Sequence, residues 1–146
     1  KNSKIDISSE ETTKELAKDL THYLKGGEIV YLYGEMGVGK TTFVRYLINQ
    51  FQKNKKLRIT EVTSPTFNLL NEYDINDLVI KHYDLFRLKD ESEIKNLDLF
   101  ENNQNTITLI EWPQLISKNK SIKTIDLIFS YENELNNRSV KIDGLN

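Results

Sequence analysis

The segment Gly34-Glu35-Met36-Gly37-Val38-Gly39-Lys40-Thr41 meets the pattern G-x-x-x-x-G-K-[ST] at every specified position. Three of the chain's six glycines fall within six positions there, and glycine is costly inside regular structure because it loses the most backbone freedom on folding. Such a stretch is suited to a turn whose amides point inward at an anion, where Cβ atoms would obstruct the approach. Its flanks suit that use. Ile29-Val30-Tyr31-Leu32-Tyr33 is a continuous β-prone run, as in a strand buried on both faces. Beyond the turn, Phe43, Val44, Leu47, Ile48 and Phe51 recur at helical spacing. Strand, glycine turn and helix in that order predict a phosphate cradle, to which the helix adds its unpaired N-terminal donors and positive dipole end. Lys40 supplies a mobile cation for the β- and γ-phosphates, the Thr41 hydroxyl can ligate Mg²⁺, and Thr42 can donate to an α-phosphate oxygen. The predicted nucleotide contacts are therefore Gly37, Val38, Gly39, Lys40, Thr41 and Thr42, with ATP or ADP and Mg²⁺ as the ligands.

The remaining pattern places this turn in one α/β domain spanning 1–146, a P-loop NTPase-like fold with a mixed central sheet flanked by helices. Ile5 and Ile7 begin an extended segment. Ser8-Ser9-Glu10-Glu11 offers a capping box, and Leu16, Ala17, Leu20, Tyr23 and Leu24 continue a helix that Lys25-Gly26-Gly27 ends. A polar loop covers 53–56. Strands are expected around 67–73 and 78–85, paired antiparallel through a turn near Asn76-Asp77. A short charged helix follows at 89–96, a buried strand at 107–110, and a closing hairpin from 122–130 and 139–142. At 146 residues and 38% hydrophobic content the chain can bury a core. It lacks cysteine, which excludes disulfides and thiolate metal sites and fits a reducing cytoplasm. No apolar run approaches a membrane span, and the polar start has no signal-peptide pattern. With 20 basic and 22 acidic residues the net charge is −2. That balance argues against broad direct contact with nucleic acid.

Mg²⁺ beside a phosphate cradle needs a carboxylate at the end of a neighbouring apolar strand. Glu111 follows Ile107-Thr108-Leu109-Ile110 and precedes Trp112-Pro113; Asp84 follows Val79-Ile80-Lys81-His82-Tyr83. Either could serve the metal, and Asp84 could instead orient a water. Val62-Thr63-Ser64-Pro65-Thr66-Phe67 lies where a γ-phosphate-sensing loop can sit, with Ser64 and Thr66 as hydroxyl contacts; a plain connecting loop is the competing reading. His22 reads as solvated on the polar side of a helix. His82 reads as packed or hydrogen-bonded rather than catalytic, and two histidines without cysteine make no zinc pattern. Arg87 could pair with a carboxylate or meet phosphate, surface pairing being the plainer reading.

Four ordered segments resemble the TsaE (YjeE) family: the stretch from Leu32 to Phe43, Ser64-Pro65-Thr66-Phe67, His82-Tyr83-Asp84-Leu85-Phe86-Arg87-Leu88, and Leu109-Ile110-Glu111-Trp112-Pro113. The resemblance implies a weak Mg²⁺-dependent ATPase required for threonylcarbamoyladenosine formation in tRNA. It also implies work with the TsaD and TsaB proteins and contact with tRNA only through that complex. By the same resemblance Thr41 and Glu111 hold magnesium, and Asp84 and Trp112 are functionally important. Nucleotide contacts are also implied near Glu10 to Thr13 and at Arg138. Phe86 stands where many members have tyrosine, and Asn137 where glycine is frequent.

The expected catalytic set is Asp84, Glu111 and Lys40, acting by alignment and charge stabilisation. Only Arg45, Arg58, Arg87 and Arg138 could neutralise a leaving phosphate. None lies in an evident lid, so slow turnover without a partner is expected. The alternatives are a small P-loop kinase and a nucleotide-dependent binding switch.

Overall fold

The computed structural model describes residues 3–65, 67–97, 99, 104–116, 123–133 and 137–145. Strand β1 (Ser3–Asp6) leads into helix α1 (Glu10–Leu20), strand β2 (Ile29–Tyr33) and helix α2 (Lys40–Asn54). Strands β3 (Leu70–Ile75) and β4 (Leu78–Asp84) follow, then the short helix α3 (Glu91–Ile94) continued by a 3-10 turn, Lys95–Leu97. Strand β5 (Thr106–Glu111) and a 3-10 turn at Pro113–Leu115 precede the closing strands β6 (Thr124–Tyr131) and β7 (Arg138–Asp143). Thr66 and position 122, both invoked above, lie outside the described residues. Among those described, no helix is long and apolar enough to cross a membrane.

The strands form one sheet in the order β1-β7-β6-β2-β5-β4-β3. The centre is parallel (β6, β2, β5, β4) and the edges are antiparallel, β3 on one side and the β6–β7 hairpin with β1 on the other. After β2 the chain crosses to β4, returns with β5 to fill the gap, and then places β6 on the opposite flank of β2. Ligands of open α/β sheets bind outside the carboxyl ends of strands at such a switch.

Alternation along the strands sorts side chains onto two faces. Val30, Leu32, Ile80, Ile107, Leu109, Ile125 and Leu127 pack beneath α1 and α2 with Leu16, Leu20, Phe43, Leu47 and Phe51. Ile29, Tyr31, Tyr83 and Ile110 face the other way, toward Leu85, Leu97, Leu99 and Ile116. Phe43, in the first turn of α2, meets Phe129 of β6 edge-on at 5.9 Å between ring centroids. That contact holds the start of α2 against the sheet.

Three local expectations are corrected. The capping box does not form: Ser9 is the N-cap and accepts from the Glu11 amide at 3.1 Å. Ser8 instead accepts from the Arg138 amide at 2.9 Å, joining the start of α1 to β7. Helix α1 also stops at Leu20, short of Gly26, and His22 lies exposed in the turn beyond it. The Thr21 hydroxyl donates to the Lys18 carbonyl at 2.7 Å, and the His22 and Tyr23 amides reach back only three residues. A side chain competing for the last carbonyls and a tightened final turn end the helix early. Helix α2, conversely, runs into the polar segment expected to be loop.

Candidate functional site

The buried strand β2 ends at Tyr33, and Gly34, Gly37 and Gly39 then take φ of +142°, +79° and +121°. These lie outside the range most side chains adopt, which is why the turn needs glycine. Val38 is fully buried and its amide donates to the Glu35 carbonyl at 3.2 Å, so this member of the expected phosphate contacts anchors the turn. The first intrahelical bond runs from the Phe43 amide to the Gly39 carbonyl at 3.0 Å. The amides of Lys40, Thr41 and Thr42 precede it and have no acceptor within the helix.

Lys40 is buried, only 4% exposed. Its Nζ donates to the Gly34 carbonyl at 2.6 Å and sits 3.6 Å from the centre of the Trp112 ring. Burial pushes the Lys40 ammonium below its ordinary range, while the carboxylates of Glu111 and Asp84 act to hold its proton. Trp112 reaches Lys40 because its own backbone is left-handed, φ +58°, directly after β5 ends. Phe86 packs on the Trp112 ring at 4.9 Å.

Sheet register brings the acids together. Asp84 and Glu111 are paired neighbours on β4 and β5, and by alternation both share the α2 face with Ile80 and Leu109. The Thr41 hydroxyl lies 3.3 Å from each oxygen of Glu111. Asp84 accepts from the Ser64 hydroxyl at 2.9 Å and from the Phe86 amide at 3.1 Å. The loop before β3 is thus tied to an acid of the site through Ser64. Thr66, its other expected contact, lies outside the described residues.

Gly37, Gly39, Lys40, Thr41, Ser64, Asp84, Glu111 and Trp112 line one cavity of about 250 Å³, with Met36, Thr42 and Phe86. Arg138 borders a smaller cleft on the flank of the same turn with Glu10, Thr13, Gly39 and Thr42. The Arg138 Nε is buried with no hydrogen-bond partner. Glu10 accepts from Arg45 Nη2 at 3.2 Å and from the Tyr46 hydroxyl. Arg87 is placed over the ring of exposed Phe67 at 5.4 Å, an aromatic partner where a charged one was expected.

His82 is packed and hydrogen-bonded, as its place in the strand suggested, and its partner is an acid of the site. His82 lies wholly buried with Nε2 2.7 Å from Glu111 Oε2. The signal was present in the chain: His82 stands two residues before Asp84 in a strand and so must share its face.

Strand, glycine turn and helix on a mixed sheet, with acids ending the neighbouring strands, define the P-loop NTPase-like class. The sequence profile described as Threonylcarbamoyl adenosine biosynthesis protein TsaE matches residues 7–140. A Rickettsia conorii protein named tRNA threonylcarbamoyladenosine biosynthesis protein TsaE is 44% identical over 110 residues, 75% of this chain and 61% of that protein. A Rickettsia bellii protein of the same name is 44% identical over 115 residues, 79% of this chain and 77% of that one. The chain therefore spans less than two thirds of the Rickettsia conorii relative. The crystal structure of Bacillus subtilis YdiB shares the fold, with a TM-score of 0.73 at 22% identity over all of this chain and 87% of that one. The chain belongs to the TsaE family.

Proposed function

We propose that this chain binds ATP and ADP with Mg²⁺, hydrolyses ATP slowly by itself, and acts with TsaD and TsaB in threonylcarbamoyladenosine modification of tRNA. The observation that carries the nucleotide reading is the junction of Thr41 with Glu111 at 3.3 Å, at the mouth of the glycine turn and beside Lys40. Among the described residues no three of His, Cys, Asp and Glu gather as a metal cage. Mg²⁺ needs none, since it binds through one or two carboxylates together with phosphate oxygens and water. One hydroxyl and one carboxylate beside a phosphate cradle fit that requirement. When bound, the ion would neutralise charge developing on the phosphate oxygens.

The chain's own residues do the rest. The amides of the turn and of the α2 start bind phosphate, and Gly37 and Gly39 keep that approach open. Lys40, desolvated under Trp112, pairs with the terminal phosphates in place of the Gly34 carbonyl. Asp84, held by Ser64 and the Phe86 amide, orients the attacking water. Trp112 and Phe86 wall off solvent. Arg138, Glu10 and Thr13 bound the flank where the rest of the nucleotide would lie. Among the described residues that line the main cavity there is no arginine, which supports slow turnover until a partner completes it. The tRNA step rests on the relatives' names, and the net charge of −2 supports contact with tRNA only through the complex. That work would place the chain in the cytoplasm.

The test measures nucleotide affinity with and without Mg²⁺, and phosphate release with and without TsaD and TsaB. Glu111→Gln is expected to keep nucleotide binding while losing the gain from Mg²⁺ and on the order of 100-fold in phosphate release. Transfer of phosphate to a small acceptor, or rapid hydrolysis by the isolated chain, would count against the reading.

A further inference from the structure

On its face of the sheet His82 has Ile80 before it and Asp84 after it on β4, with Leu109 as its register partner on β5 and Asn71 on β3. A leucine would fill this place without any polar atom to satisfy. The imidazole there has Nε2 2.7 Å from Glu111 Oε2, while its Nδ1 is buried with no hydrogen-bond partner. A carboxylate oxygen accepts, and nothing accepts a proton from Nδ1, so hydrogen bonding assigns the proton to Nε2. Leaving Nδ1 unsatisfied costs free energy that packing alone would not require. The arrangement spends it on one contact, the Oε2 oxygen of Glu111.

Among the described residues the other side chain hydrogen-bonded to Glu111 is the Thr41 hydroxyl, which lies 3.3 Å from both oxygens and so does not distinguish them. We infer that His82 is a positioning residue: its Nε2–H holds Glu111 Oε2 so that Oε1 is presented to a divalent cation at Thr41. The inference rests on the nucleotide and Mg²⁺ reading above and extends it to a residue behind the site. Groups that orient a metal-binding carboxylate commonly alter metal affinity or activity by ~10–100-fold when removed.

The experiment compares the unaltered chain with His82→Leu and His82→Gln, where glutamine can place an N–H near the position of Nε2. Affinity for a fluorescent ADP analogue is measured across a Mg²⁺ titration, beside steady-state ATP hydrolysis. His82→Leu is expected to need ~10-fold or more Mg²⁺ for the same gain in affinity and to lower kcat comparably. Its Mg²⁺-free nucleotide affinity should stay as it was, because His82 does not line the cavity. His82→Gln should recover most of both losses. In ¹⁵N spectra of the nucleotide-free protein, the His82 ring should carry its proton on Nε2, a readout that stands even if His82→Leu does not fold. Unchanged Mg²⁺ dependence in His82→Leu, equal losses in the glutamine variant, or a proton on Nδ1 would each overturn the inference alone. Absence of any Mg²⁺ effect in the unaltered chain would instead overturn the functional reading, and this inference with it.

Discussion

Trp112 occupies a backbone region that side chains seldom adopt, φ +58°, immediately before Pro113. Holding a large aromatic there costs about 1–3 kcal/mol, and what the fold obtains is a ring closed over Lys40 Nζ at 3.6 Å. It is also the chain's one tryptophan, so its emission should change as nucleotide enters the cavity. In Lys40→Ala the same titration should require roughly 10–100-fold more ATP, matching one charged hydrogen-bonding group removed, while far-UV circular dichroism stays that of the folded chain. An unshifted titration would show that Lys40 does not meet phosphate. Residue types singled out Lys40, Thr41 and Glu111 in the sequence, and the fold brings all three to one cavity. The buried, hydrogen-bonded state of His82 was expected, but its partner Glu111 was not named, nor was Phe67 beside Arg87. Their partners are set by which side chains the folded backbone brings within reach, and nothing local in the chain specifies that.

At the scale of the element, the glycine turn combines two separate demands. A Cβ on Gly34 would stand 2.8 Å from the Phe129 carbonyl oxygen and 2.9 Å from Val38 Cγ1, whereas one on Gly37 would meet nothing nearer than the Tyr131 hydroxyl at 3.5 Å. Gly34→Ala should therefore lose roughly 1–3 kcal/mol to overpacking in addition to its φ. Gly37→Ala should lose only about 1–2 kcal/mol for the left-handed backbone. Urea unfolding of the two variants checks the order, and equal losses would refute the contact argument. Helices and strands were legible from their periods, since burial of one face is enough to select them. Their ends were not. Ser8 offered a cap for α1 but was taken by the Arg138 amide, 130 positions away, and Thr21 closed the helix before Gly26.

Across the whole molecule, the two faces of the sheet carry different chemistry. The face under α1 and α2 is apolar until the strand ends, where His82, Asp84 and Glu111 appear; the other face buries Tyr31 and Tyr83 among aliphatic side chains. Burial, aided by the charges of Tyr33 and Asp126, pushes the Tyr31 phenol up to about 12 from 10.0. A group whose acid form is favoured by folding contributes stability in full below its unfolded pKa, and that contribution is lost as pH rises toward the folded value. Stability should thus fall between pH 10 and about 12, by on the order of 2 kcal/mol from this group. Tyr31→Phe should flatten that slope in alkaline urea titrations. A slope unaltered by the substitution would place the titrating group elsewhere.

The chain's own order of residues determined the strand–turn–helix unit, the place of the glycine turn and both acids at strand ends, because each depends on neighbours within a few positions or on a strand's alternation. Tertiary structure alone decided that Asp84 and Glu111 stand side by side, that Ser64 reaches one and His82 the other, and that Arg138 comes to the flank of the turn. These depend on sheet order and register between segments tens of residues apart, which form only when the hydrophobic faces are packed together.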